Sequence, residues 1–337
     1  MLKNFFQKKI DHVGNKIWMW LPLSLIVFIS YVFQRGIVAI SKTTLGPASL
    51  NEVIPIFMIT VAVASLIVGI LCDKFNTRTL FAIECFIGFC GLLLIEYHPI
   101  AFAILFGSSV AMNRIGSCST AMKVWETKLP IRVLGQAVAK SIATIVLPVF
   151  MSLFLLKLGW SLSISIMAGI YLLIGYSVYR ILPYDRLDKW NIKGLWEILK
   201  SSKWYAFLIL CPNFYLLFTS KMIPSLINIG WTRSEAVGLL SMLIFGEIIG
   251  RFFWAWVLTK KENWYIGVAT MANVTDLFLF FLLPFAPIIA IFIHFFANSG
   301  GTVSWWPAAR TIVGPQYVAT VYGIGICITF IIASIFF

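Results

Sequence analysis

Residues 53–97 read VIPIFMITVAVASLIVGIL, then CDKFNTR, then TLFAIECFIGFCGLLLIEY. Two apolar runs, Val53–Leu71 and Thr79–Tyr97, flank the short polar connection 72–78. At a rise of about 1.5 Å per residue, each run as a helix is long enough to cross a hydrocarbon core of roughly 30 Å. In lipid the backbone must satisfy its own hydrogen bonds, so such runs read as helices, and the pair reads as a hairpin through a bilayer.

Extending this reading in both directions gives about eleven spans: 17–40, 53–71, 79–97, 100–122, 134–156, 160–182, 204–229, 237–258, 264–283, 288–309 and 318–337. The composition agrees, because 60% of the 337 residues are hydrophobic and only 12% are charged, too few to clothe a soluble surface. The expected fold class is therefore all-α, a polytopic membrane protein. The net charge of +13 does not form the single basic face of a nucleic-acid binder, since the cations sit in short clusters between apolar runs.

Those clusters alternate. Lys3, Lys8, Lys9 and Lys16, then Lys74 and Arg78, Lys123, Lys128 and Arg132, the series from Arg186 to Lys203, Lys260 and Lys261, and Arg310 fall on one side; Lys42, Lys157 and Arg233 fall on the other. The positive-inside rule places the amino terminus in the cytoplasm of a cell bounded by a plasma (inner) membrane. Residues 183–203 mix charges with Trp190, Trp196, Leu195 and Leu199, and read as a cytoplasmic linker with an interfacial amphipathic helix. The expected organisation is an amino-terminal six-helix bundle (1–182), this linker (183–203) and a carboxy-terminal five-helix bundle (204–337). Superimposing Trp204 on Trp18, a shift of 186 positions, brings Lys221 onto Arg35 and Thr259-Lys260 onto Asp73-Lys74. Internal repeats of this kind are frequent in membrane carriers.

The segment Gly69-Ile-Leu-Cys-Asp73-Lys74-Phe75-Asn76-Thr77-Arg78 resembles the G-x-L-x-D-[RK]-x-G-x-[RK] signature of the major facilitator superfamily, with Asn76 at the second glycine. Gly250-Arg251-Phe252-Phe253-Trp254-Ala255-Trp256, with Lys260 and Lys261 beyond, is similar to that motif's second-half counterpart. Glycine permits close helix packing, while an Asp beside cations can cap and pair at a membrane surface. The resemblance implies two bundles that expose a central site alternately to each side, with Gly69, Asp73, Lys74, Arg78 and Arg251 controlling conformation. It also implies twelve helices. This chain ends at Phe337 within an apolar run, so the last helix is expected to be absent, as in a truncated product.

Ionisable groups inside a membrane are costly and mark functional sites by default. Arg35, after Tyr31 and Gln34 on the first span, resembles the Tyr and Arg of the superfamily's organic-anion branches. Arg114 on the fourth span could join it in clamping a carboxylate or phosphate ester through forked donors, the alternative being a structural ion pair. Lys221, Asn213, Tyr215 and His294 complete the candidate substrate-binding set. Glu247 and Arg251 lie one helical turn apart and can neutralise each other. Glu247, Asp276 and Glu84 are the candidates for proton coupling.

Catalytic signatures are missing from the sequence: there is no GxSxG, P-loop, HExxH or dinucleotide fingerprint. The expectation is a carrier rather than an enzyme, a secondary symporter or antiporter of a small organic anion. It would be a monomer in the bilayer, without cofactor, metal or nucleic acid, with protons as the candidate coupling ion. The rival readings are a carrier of an amino acid, osmolyte or hydrophobic compound, and a truncated remnant that does not transport. The topology is directly testable: in a background lacking native cysteines, single cysteines at Lys9 and Lys193 should resist a membrane-impermeant thiol reagent added to intact cells. Labelling of either from outside would invert the assignment.

Overall fold

The computed structural model describes residues 21, 23–29, 50–125, 128–182, 191–201 and 213–336, all of whose regular structure is helical. After a short helical stretch at 23–29 come α1 (Leu50–Lys74), α2 (Thr77–Leu93), α3 (Pro99–Val124), α4 (Leu129–Leu158), α5 (Trp160–Ile181) and α6 (Ile192–Ser201). They are followed by α7 (Asn213–Asn228), α8 (Arg233–Lys260), a 3-10 turn at Glu262–Trp264, α9 (Tyr265–Leu282), α10 (Pro287–Val313) and α11 (Val318–Phe336). The second to eleventh expected spans each carry one of these helices, and α6 falls where the amphipathic helix was expected. Among the described residues, six helical stretches are long and apolar enough to cross a bilayer: 53–74, 99–123, 160–181, 234–260, 262–282 and 287–313.

Local chemistry sets the boundaries. Asn76, at the position of the motif's second glycine, is the N-cap of α2, its side-chain oxygen accepting from Arg78 N at 2.9 Å. Pro99 and Pro287 open α3 and α10, where a missing N–H costs nothing. Thr232 and Glu235 form a reciprocal capping box before α8, with the Glu235 carboxylate accepting from Thr232 N at 2.8 Å. Helix α10 runs unbroken through Gly300, Gly301 and Pro307. The two glycines there serve close approach: a Cβ on Gly301 would stand 2.8 Å from that of Ala272 on α9.

Helices pack on helices throughout. Helix α1 lies against α3 and α11, α2 against α3 and α5, α9 against α10, and α8 against both α10 and α4. One buried cluster is drawn from 23–29 and α1–α5 but also takes in Trp306, Ala309, Val318, Ala319 and Phe330. A second joins Leu134 and Ala137 of α4 to Leu195 and Leu199 of α6 and to Ala255, Leu258 and Tyr265. A third, around Met222, Leu226, Leu279 and Phe295, holds α7, α9 and α10 together. Outside these clusters large apolar side chains face outward, among them Phe86, Leu173, Met242, Ile249, Phe278 and Phe281. Such a surface suits hydrocarbon rather than water. Cations gather at one end, hereafter the basic end, where Lys74, Lys123, Lys200, Lys260 and Arg310 lie in the last turns of their helices.

Backbone meets backbone at the seam between α1 and α11. A Cβ on Gly69 would lie 2.5 Å from the Ala319 carbonyl oxygen, and one on Gly323 would lie 3.3 Å from Gly69 Cα and closer still to the Ser65 carbonyl. Gly69→Val should therefore destabilise the purified protein by about 1–3 kcal/mol through overpacking. Gly238→Ala on α8, where a Cβ meets nothing within 4 Å, should be neutral or stabilise by up to about 1 kcal/mol. Thermal unfolding in detergent reads both; an equal effect at the two positions would deny the seam its role.

Candidate functional site

At the basic end the last turn of α1 carries Asp73, whose side chain is wholly buried. Its carboxylate accepts from the backbone N–H groups of Thr320 at 2.6 Å and Ala319 at 3.3 Å, the first turn of α11. The first N–H groups of a helix are left over by its own ladder and the helix dipole there is positive, so the contact is both a cap and a charge match. Lys123 Nζ stands 3.8 Å from Asp73 Oδ1 and donates to the Cys72 carbonyl. Arg78 lies over the Tyr179 ring, 4.6 Å from its centre, and Lys74 points outward. Beside them Arg310 of α10 donates to the Trp125 carbonyl after α3. Of the residues expected to control conformation, Gly69 and Asp73 meet the start of α11, whereas Lys74 is exposed, Arg78 lies on Tyr179 of α5 and Arg251 is held between α4 and α8.

Deeper in the molecule, α4, α8 and α10 share a second polar contact. Arg251 is 1% exposed and donates to Glu247, to the Ala137 carbonyl and, at 2.6 Å, to Ser141 Oγ. The Ser141 hydroxyl donates in turn to Glu247 Oε2 at 3.1 Å, and Asn298 Nδ2 donates to Glu247 Oε1 at 2.6 Å. The i, i+4 ion pair expected from sequence exists, but it is embedded in a network with two further helices. That embedding lets two charges persist in an apolar interior, since each meets the other and further polar partners, Arg251 through its two terminal nitrogens while its Nε has no hydrogen-bond partner among the described residues.

On α3, Asn113 donates to Tyr171 Oη of α5, which also exchanges a hydrogen bond of 2.7 Å with Ser109. Arg114, the next residue, is half-buried and places its guanidinium 5.0 Å from the centre of the Phe330 ring on α11. Nearby on α10 and α11, Trp305 and Trp306 pack on Tyr322 with ring centres 4.2 and 4.0 Å apart.

Another buried polar contact joins α9 to α10: His294 Nδ1 lies 2.6 Å from Asp276 Oδ1, with both side chains almost wholly buried. A substrate candidate and a proton-coupling candidate from the sequence are thus each other's partner. Glu84 on α2 is half-buried, and its Oε2 has no hydrogen-bond partner among the described residues. Lys221 on α7 is exposed. Tyr31, Gln34 and Arg35 lie outside the described residues, as do the side chains of Asn213 and Tyr215. Among the described residues no group of three or more His, Cys, Asp or Glu side chains could hold a metal ion.

Sequence reasoning missed Ser141, Asn298, Thr320 and Gly323 as partners in these contacts. The only signal available was small or polar residues within apolar helices, a pattern that also describes self-satisfied hydroxyls. Ser65, Ser163 and Thr329, for example, donate to carbonyls four residues back on their own helices.

The family model for the Major Facilitator Superfamily matches residues 20–337. Among solved structures, a variant of the E. coli fucose:proton symporter FucP is similar over 93% of this chain and 89% of its own, at 14% identity and a TM-score of 0.68. FucP in the outward conformation is similar over 95% of this chain and 98% of its own, at 13% identity and a TM-score of 0.59. At these identities the likeness is one of fold. No curated protein matches the chain.

Removing one member of the α4–α8–α10 contact strands the other charge. Arg251→Ala should destabilise by about 3–5 kcal/mol, because Glu247 is left buried without its cation. The double change Glu247→Gln with Arg251→Gln should cost less than Arg251→Ala alone. Denaturant unfolding in detergent measures both, and losses that simply add would mean that the two residues do not depend on one another.

Proposed function

The chain belongs to the major facilitator superfamily of membrane carriers, and on that premise we propose that it moves a small organic anion across the bilayer by alternating access. The moving parts are the bundles 1–182 and 204–337, joined by the linker 183–203 and working as a monomer in the plasma membrane with the basic end in the cytoplasm. The observation that carries the reading is the Asp73 carboxylate on the first turn of α11, a contact between the two bundles made of hydrogen bonds from Ala319 and Thr320. Few bonds, charged on one side and dipolar on the other, can close that end firmly and still separate.

The anion meets Arg114, supported by its half-buried guanidinium at the join of α3 and α11 and by the buried amide of Asn113 beside it. Arg35, Tyr31 and Gln34 belong to the same site, with Lys221, Asn213, Tyr215 and His294 contributed by the second bundle. A proton is the coupling ion. Its candidate holders are the His294–Asp276 pair, Glu247 and Glu84, carboxylates withdrawn from water that lie within helices.

A second reading is a neutral polyhydroxylated solute carried with a proton. It is favoured by the aromatic group of Trp305, Trp306 and Tyr322, beside which Asn298 and Thr302 supply polar edges, and by the fold likeness to a fucose:proton symporter. Competition against uptake into proteoliposomes separates the readings. Carboxylates and phosphate esters should compete and sugars should not; the reverse pattern installs the second reading.

For the anion, Arg114→Ala should weaken binding at least about thirtyfold, the loss expected when a buried charged hydrogen bond is removed. Arg114→Lys should rescue poorly, because an ammonium keeps the charge but not the fork. Asp73→Asn should leave equilibrium binding intact while uptake falls, since the residue serves closure rather than solute. Parallel loss of binding and uptake would move Asp73 into the binding site.

A further inference from the structure

Helix α6 presents two contrasting faces. Leu195 and Leu199 are buried in the cluster that also contains Leu258, Tyr265, Val313 and Tyr317. The opposite stripe, Lys193, Trp196, Glu197 and Lys200, follows helical spacing and is exposed. Trp196 is 54% exposed, and Lys200 Nζ lies 5.5 Å from its ring centre. The end of α8 repeats the arrangement: Trp256 is 56% exposed, and Lys260 Nζ lies 3.9 Å from its ring. Both tryptophans stand four residues before a lysine in a final helical turn, and both helices contribute to one buried cluster.

A large exposed indole is poorly placed in bulk water but well placed among lipid headgroups, where its apolar body and N–H are both accommodated. Lysines beside it select the sign of the headgroup. The exposed cations here are Lys193, Lys200, Lys260 and Lys261, against Glu197 and Glu262. The net excess is positive. Juxtamembrane lysines of this kind are drawn to anionic lipid.

We infer that α6 and the end of α8 form a docking surface for anionic phospholipid headgroups, and that lipid seated there favours closure of the basic end. The connection runs through Tyr317. Its hydroxyl donates to the Asn191 carbonyl at 3.2 Å, at the start of α6, and a Cβ on Gly194 would stand only 2.7 Å from that oxygen. The Asn191 side chain in turn accepts from Lys193 N and Gly194 N, fixing the first turn of α6. Tyr317 immediately precedes α11, whose N–H groups at Ala319 and Thr320 hold Asp73. A headgroup that pins α6 therefore steadies the residue that leads into the cap. The regulatory half of this inference rests on the transport reading above; the binding half does not.

The test uses the full chain in nanodiscs of phosphatidylcholine with or without phosphatidylglycerol, in a background lacking native cysteines. Native mass spectrometry should show phosphatidylglycerol retained in preference to phosphatidylcholine, and the Lys193→Gln/Lys200→Gln/Lys260→Gln variant should lose that preference. Spin labels at Phe75→Cys and Gln316→Cys report the basic end, and phosphatidylglycerol should raise the ratio of short to long distances at least about threefold. The triple Gln variant should lose this response, and the matching triple Arg variant should keep it. Inorganic phosphate added to phosphatidylcholine discs should do nothing. Equal retention of both lipids, an unchanged response in the triple Gln variant, or an equal response to inorganic phosphate overturns the docking surface. Preferential retention without any distance change keeps the lipid site but overturns its control of the gate, and failed uptake with both readouts intact faults the transport reading alone.

Discussion

A helix that starts inside a low-dielectric interior must do something with its first N–H groups, and α11 starts there. Its second and third residues, Ala319 and Thr320, are buried, and their amides point at a carboxylate 246 and 247 positions earlier in the chain. Asp73 is equally constrained, since an ionised carboxyl with no exposure needs donors on each oxygen. Each group relieves the cost of the other. Much of the basic end is arranged around this exchange: Gly69 and Gly323 bring the two backbones close enough, Lys123 balances the charge, and Tyr317 orients the turn that leads in.

The sequence exposes what is periodic, long or local. Apolar runs mark the spans because a bilayer imposes a minimum length on any helix that crosses it. The motif at 69–78 is legible for the same reason: its glycine, acid and cations lie within one turn-and-helix segment. Even its departure has a local cause, for Asn76 takes the place of a glycine and caps α2. The Glu247–Arg251 pair is legible too, being one helical turn apart.

What sequence hides is pairing across distance. His294 and Asp276 sit on different helices 18 positions apart, and nothing in either segment names the other. Ser141 reaches Glu247 across 106 positions. A serine in an apolar run is ambiguous in any case, because most of those seen here return their proton to their own helix. Only packing separates the hydroxyl that crosses from the hydroxyl that does not. Gly323 was overlooked for a related reason: a glycine in a very apolar helix reads as filler until the opposing backbone is seen.

The α1–α11 seam has a kinetic side. Where Gly69 faces the Ala319 carbonyl and Gly323 faces that of Ser65, backbone meets backbone with no side chain between. Interlocked side chains must leave and re-enter rotamer wells whenever two surfaces part, and each such hop adds friction. At this stretch there is nothing to disengage. Resistance to parting at this seam then falls to the hydrogen bonds at Asp73 rather than to the glycine stretch, so the smooth stretch behaves as a bearing and the carboxylate as its catch.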